Sequence, residues 1–150
     1  KRYRVSASIV EKLAHDIFDY AQHKNARLII IPSRRTPKKT RMLFEKLDKD
    51  KKHIFWDDEH ENPYPDILSI ADEIIVTSDS VNMVTEACLL GRPVFVAHWG
   101  NEQGRLAKFH EIMNDGGFTR PLSQAGEAFK PKILNQMPQI AKKITAILSA

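Results

Sequence analysis

The chain has 150 residues, of which 42% are apolar, with a net charge of +4 and one cysteine, Cys88. That supports one domain with a full core and excludes a disordered chain, an internal disulfide, a cysteine–histidine zinc site and an apolar run long enough to cross a bilayer. The lone cysteine fits a reducing, cytoplasmic setting, and the positive balance suits phosphate-bearing ligands or peripheral contact with an anionic inner-membrane surface.

In chain order, Ile9, Val10, Leu13, Ile17, Phe18, Tyr20 and Ala21 recur at helical spacing and predict a helix over residues 8–23. Residues 28–31 read as a short buried strand ended by Pro32, and residues 36–47 as a helix with Pro37 in its first turn. A third apolar segment, 52–56, predicts a strand, followed by a polar loop over 57–62 and a short helix over 63–71. The run IIVT at 74–77 is too apolar to alternate, as in a parallel strand covered on both faces. Ser80 is the expected N-cap of the next helix, which Gly91 and Pro93 close before a strand over 93–97. A helix over 103–114 stops at Gly116-Gly117, residues 118–122 form a short edge strand, and a loop over 126–131 leads to a last helix over 132–149. That helix is expected to pack through Ile133, Leu134, Ile140, Ile144, Ile147 and Leu148. Strands alternating with helices imply right-handed crossovers and a three-layer, Rossmann-like parallel sheet with helices on both faces. Because the chain enters on a helix at Lys1, it is expected to be a fragment lacking a first strand and a preceding domain.

Every candidate site follows a strand, so all share the carboxyl edge of the sheet, where open α/β sheets bind ligands. After residues 74–77, Asp79 and Ser80 with the amides of Val81, Asn82 and Met83 suit a phosphate at a helix start, and Glu86 lies further along the same helix, within reach of a ribose. Ser33, Arg34 and Arg35 follow the 28–31 strand, and arginine forks suit diphosphate oxygens. Asp57, Asp58, Glu59, His60 and Glu61 read as a solvated acidic loop; they lack the turn glycine of a calcium loop, and no metal or cofactor is expected. His98, Asn101 and Gln103 follow the next strand and carry polar groups for a sugar, with His98 a candidate acid or phosphate ligand. The basic clusters at 38–41 and 49–52 have no interleaved aromatics, which argues against nucleic acid.

The order Asp79-Ser80, Glu86, Gly91 resembles the donor-nucleotide half of GT-B-fold enzymes, such as the lipid-linked N-acetylglucosaminyltransferase of peptidoglycan synthesis and the non-hydrolysing UDP-N-acetylglucosamine 2-epimerase. Val81-Asn82 stands where those relatives often carry glycines. More narrowly, Ser33-Arg34-Arg35-Thr36-Pro37, Asn62-Pro63-Tyr64 and residues 77–87 resemble the mitochondrial-fission (elongated-mitochondria) family of bacteria and plants. The resemblance implies the C-terminal half of a GT-B fold binding a nucleoside diphosphate sugar, UDP-type in the first instance. The base would lie against Trp56, Asn62 and Pro63, the ribose on Glu86, and the acceptor in an N-terminal domain of the same full-length chain. Transfer of the sugar to an acceptor hydroxyl is the expected reaction. A UDP-sugar 2-epimerase and a non-catalytic scaffold for membrane or fission recruitment are the alternatives.

Overall fold

The computed structural model describes residues 5–33, 36–56, 61–135, 142 and 145–147. Helix α1 (Ala7–His23) starts where the Ser6 side chain accepts the Ile9 amide at 3.4 Å, and its apolar stripe buries Val10, Leu13, Ala14, Ile17 and Ala21. Strand β1 (Ile29–Ile30) is followed by α2 (Lys38–Leu47), which begins after Pro37 and buries Phe44. Then come β2 (Ile54–Phe55), α3 (Tyr64–Ile70), β3 (Ile74–Thr77), α4 (Val81–Ala87) and β4 (Val94–Ala97). Helix α5 (Arg105–Asp115), β5 (Arg120–Pro121) and a 3-10 turn (Leu122–Gln124) complete the described order.

All strand pairing among the described residues is parallel. β1 lies beside β2, and β3, β4 and β5 form a second ladder in that order, with Ile74 opposite Val94 and Thr77 opposite Ala97. β4 is central and buried at each of its positions, which accounts for its unbroken apolar run. Alternation on β3 divides the core. Ile74 and Val76 meet Val84, Ala87, Cys88 and Met113 from α4 and α5, whereas Ile75 joins the cluster built by α1 and α2. The result is a Rossmann-like α/β domain: helices α3, α4 and α5 lie on one face of the sheet, α1 and α2 on the other.

A single ladder through all strands is not present among the described residues. β1 has two residues before Ile31-Pro32, and it meets β3 through side chains, Ile30 and Ile75 sharing one cluster. Pro32 has no N–H to extend the ladder. Lys24, the C-cap of α1, pairs with Glu73, just ahead of β3, at 3.1 Å.

The predicted start of the last helix is corrected. Residues 131–135 are not helical, because the Lys132 amide donates to the Gly117 carbonyl at 2.9 Å and the Leu134 amide to the Cys88 carbonyl at 3.0 Å. Leu134 packs on the core as expected, but Ile133 and Ile147 are 59% and 75% exposed. Residues 142 and 145–147 are helical, while Ile140, Ile144 and Leu148 lie outside the described residues.

Candidate functional site

The turn after β3 and the loop after β4 are joined at the carboxyl edge by one buried carboxylate. Glu102, with 9% of its side chain exposed, accepts hydrogen bonds through Oε1 from the Ser78 hydroxyl, the Trp99 amide (2.8 Å) and His98 Nδ1 (3.3 Å). Its Oε2 accepts the Gly100 amide at 3.1 Å. Burial alone would raise the Glu102 carboxyl, but bonds from Ser78, its own amide and Trp99, with the adjacent His98, hold it below the usual carboxylate value. Ser78 is fully buried, and its amide bonds the Ala97 carbonyl at 3.1 Å, tying the end of β3 to the end of β4.

His110 projects from α5 beneath this latch and is 5% exposed. Its Nε2 lies 2.6 Å from the Ser78 carbonyl, which can only accept, so Nε2 carries the proton and Nδ1 the lone pair. Nδ1 is buried without a hydrogen-bond partner. Burial pushes the His110 pKa down, with the neighbouring His98 acting in the same direction. A cavity of about 300 Å³ opens beside it, between His98, Glu102, Glu111, Asn114 and Pro121. Although clustered, these histidines and carboxylates are not arranged to hold a metal ion.

The candidate phosphate turn sits above the latch. Ser80 occupies the N-cap position of α4 as expected, but its side chain makes no capping bond. The first amide with a helical acceptor is that of Val84, on the Ser80 carbonyl at 3.1 Å, so the amides of Val81, Asn82 and Met83 stand at the open helix start. Asp79 is exposed, and its carboxylate accepts the Trp99 indole N–H at 3.0 Å. The Met83 side chain packs on the core, leaving its backbone as the group available at the edge.

Glu86 is exposed on α4 and lies beside Tyr64 at the start of α3. The Tyr64 hydroxyl is buried and reaches no acceptor at ordinary hydrogen-bond geometry. Burial first, and the nearby Glu86 carboxylate second, push its phenol up to about 12. The Asn62 side chain accepts the Tyr64 amide at 3.1 Å, and Pro63 is the N-cap of α3, so the 62–64 loop is held against α3. Trp56 follows β2; its amide bonds the Ile30 carbonyl at 3.0 Å, and its indole N–H is buried without a partner.

Ser33 follows β1 and closes a small turn, its amide donating to the Thr36 hydroxyl at 3.0 Å. Arg34, Arg35 and residues 57–60 lie outside the described residues. Asn101 and Gln103 are exposed in the loop after β4, and α5 starts at Arg105 because Gly104, at φ 58°, takes the cap position. Glu102 and His110 are the residues that sequence reasoning does not assign to a site; Ser78 and Tyr64 fall within the phosphate turn and the base loop without a role of their own. The one local signal is the placement of Glu102 in the polar loop that already supplies His98, Asn101 and Gln103.

These features define a Rossmann-like α/β domain whose βα loops form a polar carboxyl edge, locked by a buried carboxylate and flanked by a cavity. The chain belongs to the family described as Mitochondrial fission ELM1, which matches residues 1–148. It is 25% identical over 150 residues to the Arabidopsis thaliana protein named Mitochondrial fission protein ELM1, covering 98% of this chain and 35% of that relative. No solved structure matches the chain.

Proposed function

We propose that this domain is the nucleotide-recognising half of a GT-B-like protein that binds a nucleoside diphosphate sugar, UDP-type in the first instance. The observation that carries the reading is the proximity of Glu86 to Tyr64. The resemblance assigns ribose to Glu86 and the base to the loop ending at Tyr64, and a single nucleotide can use both only if the two are neighbours. A purely structural Glu86 would pair with Arg92 or with a neighbouring helix; no Arg92 pair occurs among the described residues, and the contact with Tyr64 on α3 fits either role, so the comparison of UDP with 2′-deoxy-UDP decides between them.

On this reading the amides of Val81, Asn82 and Met83, with Arg34 or Arg35, receive the diphosphate. Trp56, Asn62 and Pro63 frame the base, and Asn101, Gln103 and His98 face the sugar. The expected chemistry is displacement: the acceptor oxygen bonds to the sugar carbon as the bond to the diphosphate oxygen breaks. Charge on the departing diphosphate is met by the helix start and arginine. The base that takes the acceptor proton belongs to the rest of the full-length protein.

The test is calorimetry of the intact protein with UDP and 2′-deoxy-UDP. Glu86→Gln is expected to weaken UDP by about 1–2 kcal/mol, the range for a hydrogen bond to a charged group, and to narrow the discrimination between the two sugars. Equal discrimination by wild type and variant removes Glu86 from the ribose. Absence of binding to any nucleoside diphosphate removes the whole reading. It would favour the second one, a scaffold that recruits partners to a membrane, which draws support from the fission role in the name of the Arabidopsis relative.

A further inference from the structure

The positive charge of the chain is concentrated in one segment. Residues 38–52 hold seven lysines and arginines against three carboxylates, a net +4 that equals the charge of the entire chain. The remaining residues therefore balance. Each of the three carboxylates is committed: Glu45 pairs with Arg41 at 2.9 Å, Asp50 pairs with Lys52 at 3.4 Å, and Asp48 turns back to accept the amides of Lys52 and His53, each at 3.1 Å. Lys38, Lys39, Lys46, Lys49 and Lys51 are all exposed, and none makes an ion pair among the described residues.

Helix α2 presents this charge on one side. Phe44, Leu43 and Leu47 face inward against α1. At about 100° per residue, Lys38, Lys39, Met42 and Lys46 fall within an arc of roughly 100° on the outer side. Met42 sits inside that arc and is 65% exposed. The turn beyond the helix continues the pattern at a conformational cost. Lys51 has φ 48°, in the left-handed region that glycine and asparagine tolerate best, and its amide bonds the Asp48 carbonyl at 3.2 Å.

We propose that the outer face of α2, with the turn over residues 48–52, is a docking surface for an anionic lipid bilayer. The lysines reach headgroup phosphates and carboxylates while the Met42 side chain enters the boundary between headgroups and acyl chains. Charge complementarity selects the partner class. Lysines are hydrated point charges suited to a diffuse anionic field, and long lysine stems can flank an inserted apolar side chain. A nucleic-acid strand would be served by free arginine forks and exposed aromatic platforms; among the described residues of this face the arginine, Arg41, is turned to Glu45 and no aromatic side chain is exposed. The contact is peripheral, since no described helix is long and apolar enough to cross a membrane. The inference is independent of the nucleotide reading.

The test is co-sedimentation of the intact protein with vesicles of phosphatidylcholine, with and without phosphatidylserine, at low and high salt. Wild type is expected to partition onto the phosphatidylserine vesicles and to be released by salt. Replacing Lys38, Lys39, Lys46 and Lys49 with glutamine should reduce partitioning by about fivefold per lysine. Met42→Ser should weaken binding while leaving its salt dependence unchanged. Lys51→Gly supplies a control with opposite signs: it relieves the backbone and keeps or raises the unfolding midpoint, yet lowers partitioning. Equal binding to both vesicle types, or wild-type partitioning by the folded quadruple variant, overturns the proposal. So does lysine-dependent binding of a single-stranded oligonucleotide by a protein that ignores the vesicles.

Discussion

A carboxylate that accepts bonds from two backbone amides, a hydroxyl and an imidazole is difficult to replace. In Glu102→Gln the amide group must point one N–H at a position now served by a donor, either the Gly100 amide or the group of donors around Oε1. The expected loss is about 1.5–3 kcal/mol in urea unfolding, the range for hydrogen bonds to a charged group. Its pH dependence follows from the lowered pKa. Between the unfolded value of about 4.3 and the lower folded one, the unfolded chain binds more protons. The stabilisation is therefore complete above that window and lost as pH falls through the folded value. His110, lowered by burial, acts in the same sense at higher pH, its contribution fading as pH falls below about 6.5, where the unfolded imidazole protonates first. Unfolding midpoints followed against pH should show a flattened acid limb in Glu102→Gln and a flattened neutral limb in His110→Phe. Curves parallel to wild type would contradict the assignment. Cys88, 2% exposed and with its thiol pushed up to about 11 by burial, should resist a maleimide at neutral pH until the chain unfolds. Sequence patterning finds the loop that carries Glu102 but not Glu102 itself. Its importance comes from Ser78, 24 positions away, and only folding brings the two together.

At the scale of elements, the helices follow the written periodicity closely because an apolar stripe of several turns is a redundant signal. α1, α2 and α5 begin within two residues of expectation, and α5 starts late because Gly104 can adopt a positive φ at its cap. The two-residue strands β1 and β2 carry little pattern of their own, and the break between the ladders is visible only as Pro32. The tail departs furthest from expectation, since the amides of Lys132 and Leu134 are claimed by carbonyls of distant segments rather than by a helix. The same junction yields a test at Gly91. Its φ is 67°, and a Cβ there would lie 3.1 Å from the Ile133 side chain. Gly91→Ala should cost about 1–3 kcal/mol, as expected of a side chain forced into the left-handed region. Because Ile133 is exposed and can shift, Gly91→Ala combined with Ile133→Ala should recover little of the loss, whereas Gly91→Asn should lose less than Gly91→Ala. Full thermal rescue by Ile133→Ala would show that crowding, not backbone conformation, sets the cost.

For the whole molecule, the parallel sheet assigns each face and edge a different environment. Helices cover both faces, Ser33, Trp56, Ser80 and the residues after β4 follow the carboxyl ends of strands, and the surplus positive charge lies along α2 and its following turn. The common address of the candidate site was readable from the sequence, because any residue following a parallel strand reaches that edge. Contacts across the edge, Glu102 with Ser78 and Glu86 with Tyr64, depend on which loops the sheet order places side by side. The central claim is that this edge holds a nucleoside diphosphate. Hydrogen–deuterium exchange of the intact protein with saturating UDP tests it most directly. The account predicts slowed exchange in residues 61–70, 78–87 and 98–104, joined by the 33–36 turn that carries the arginines, with α1 and the body of α2 unchanged. Exchange unaltered across those three segments, or protection confined to other parts of the domain, would contradict it.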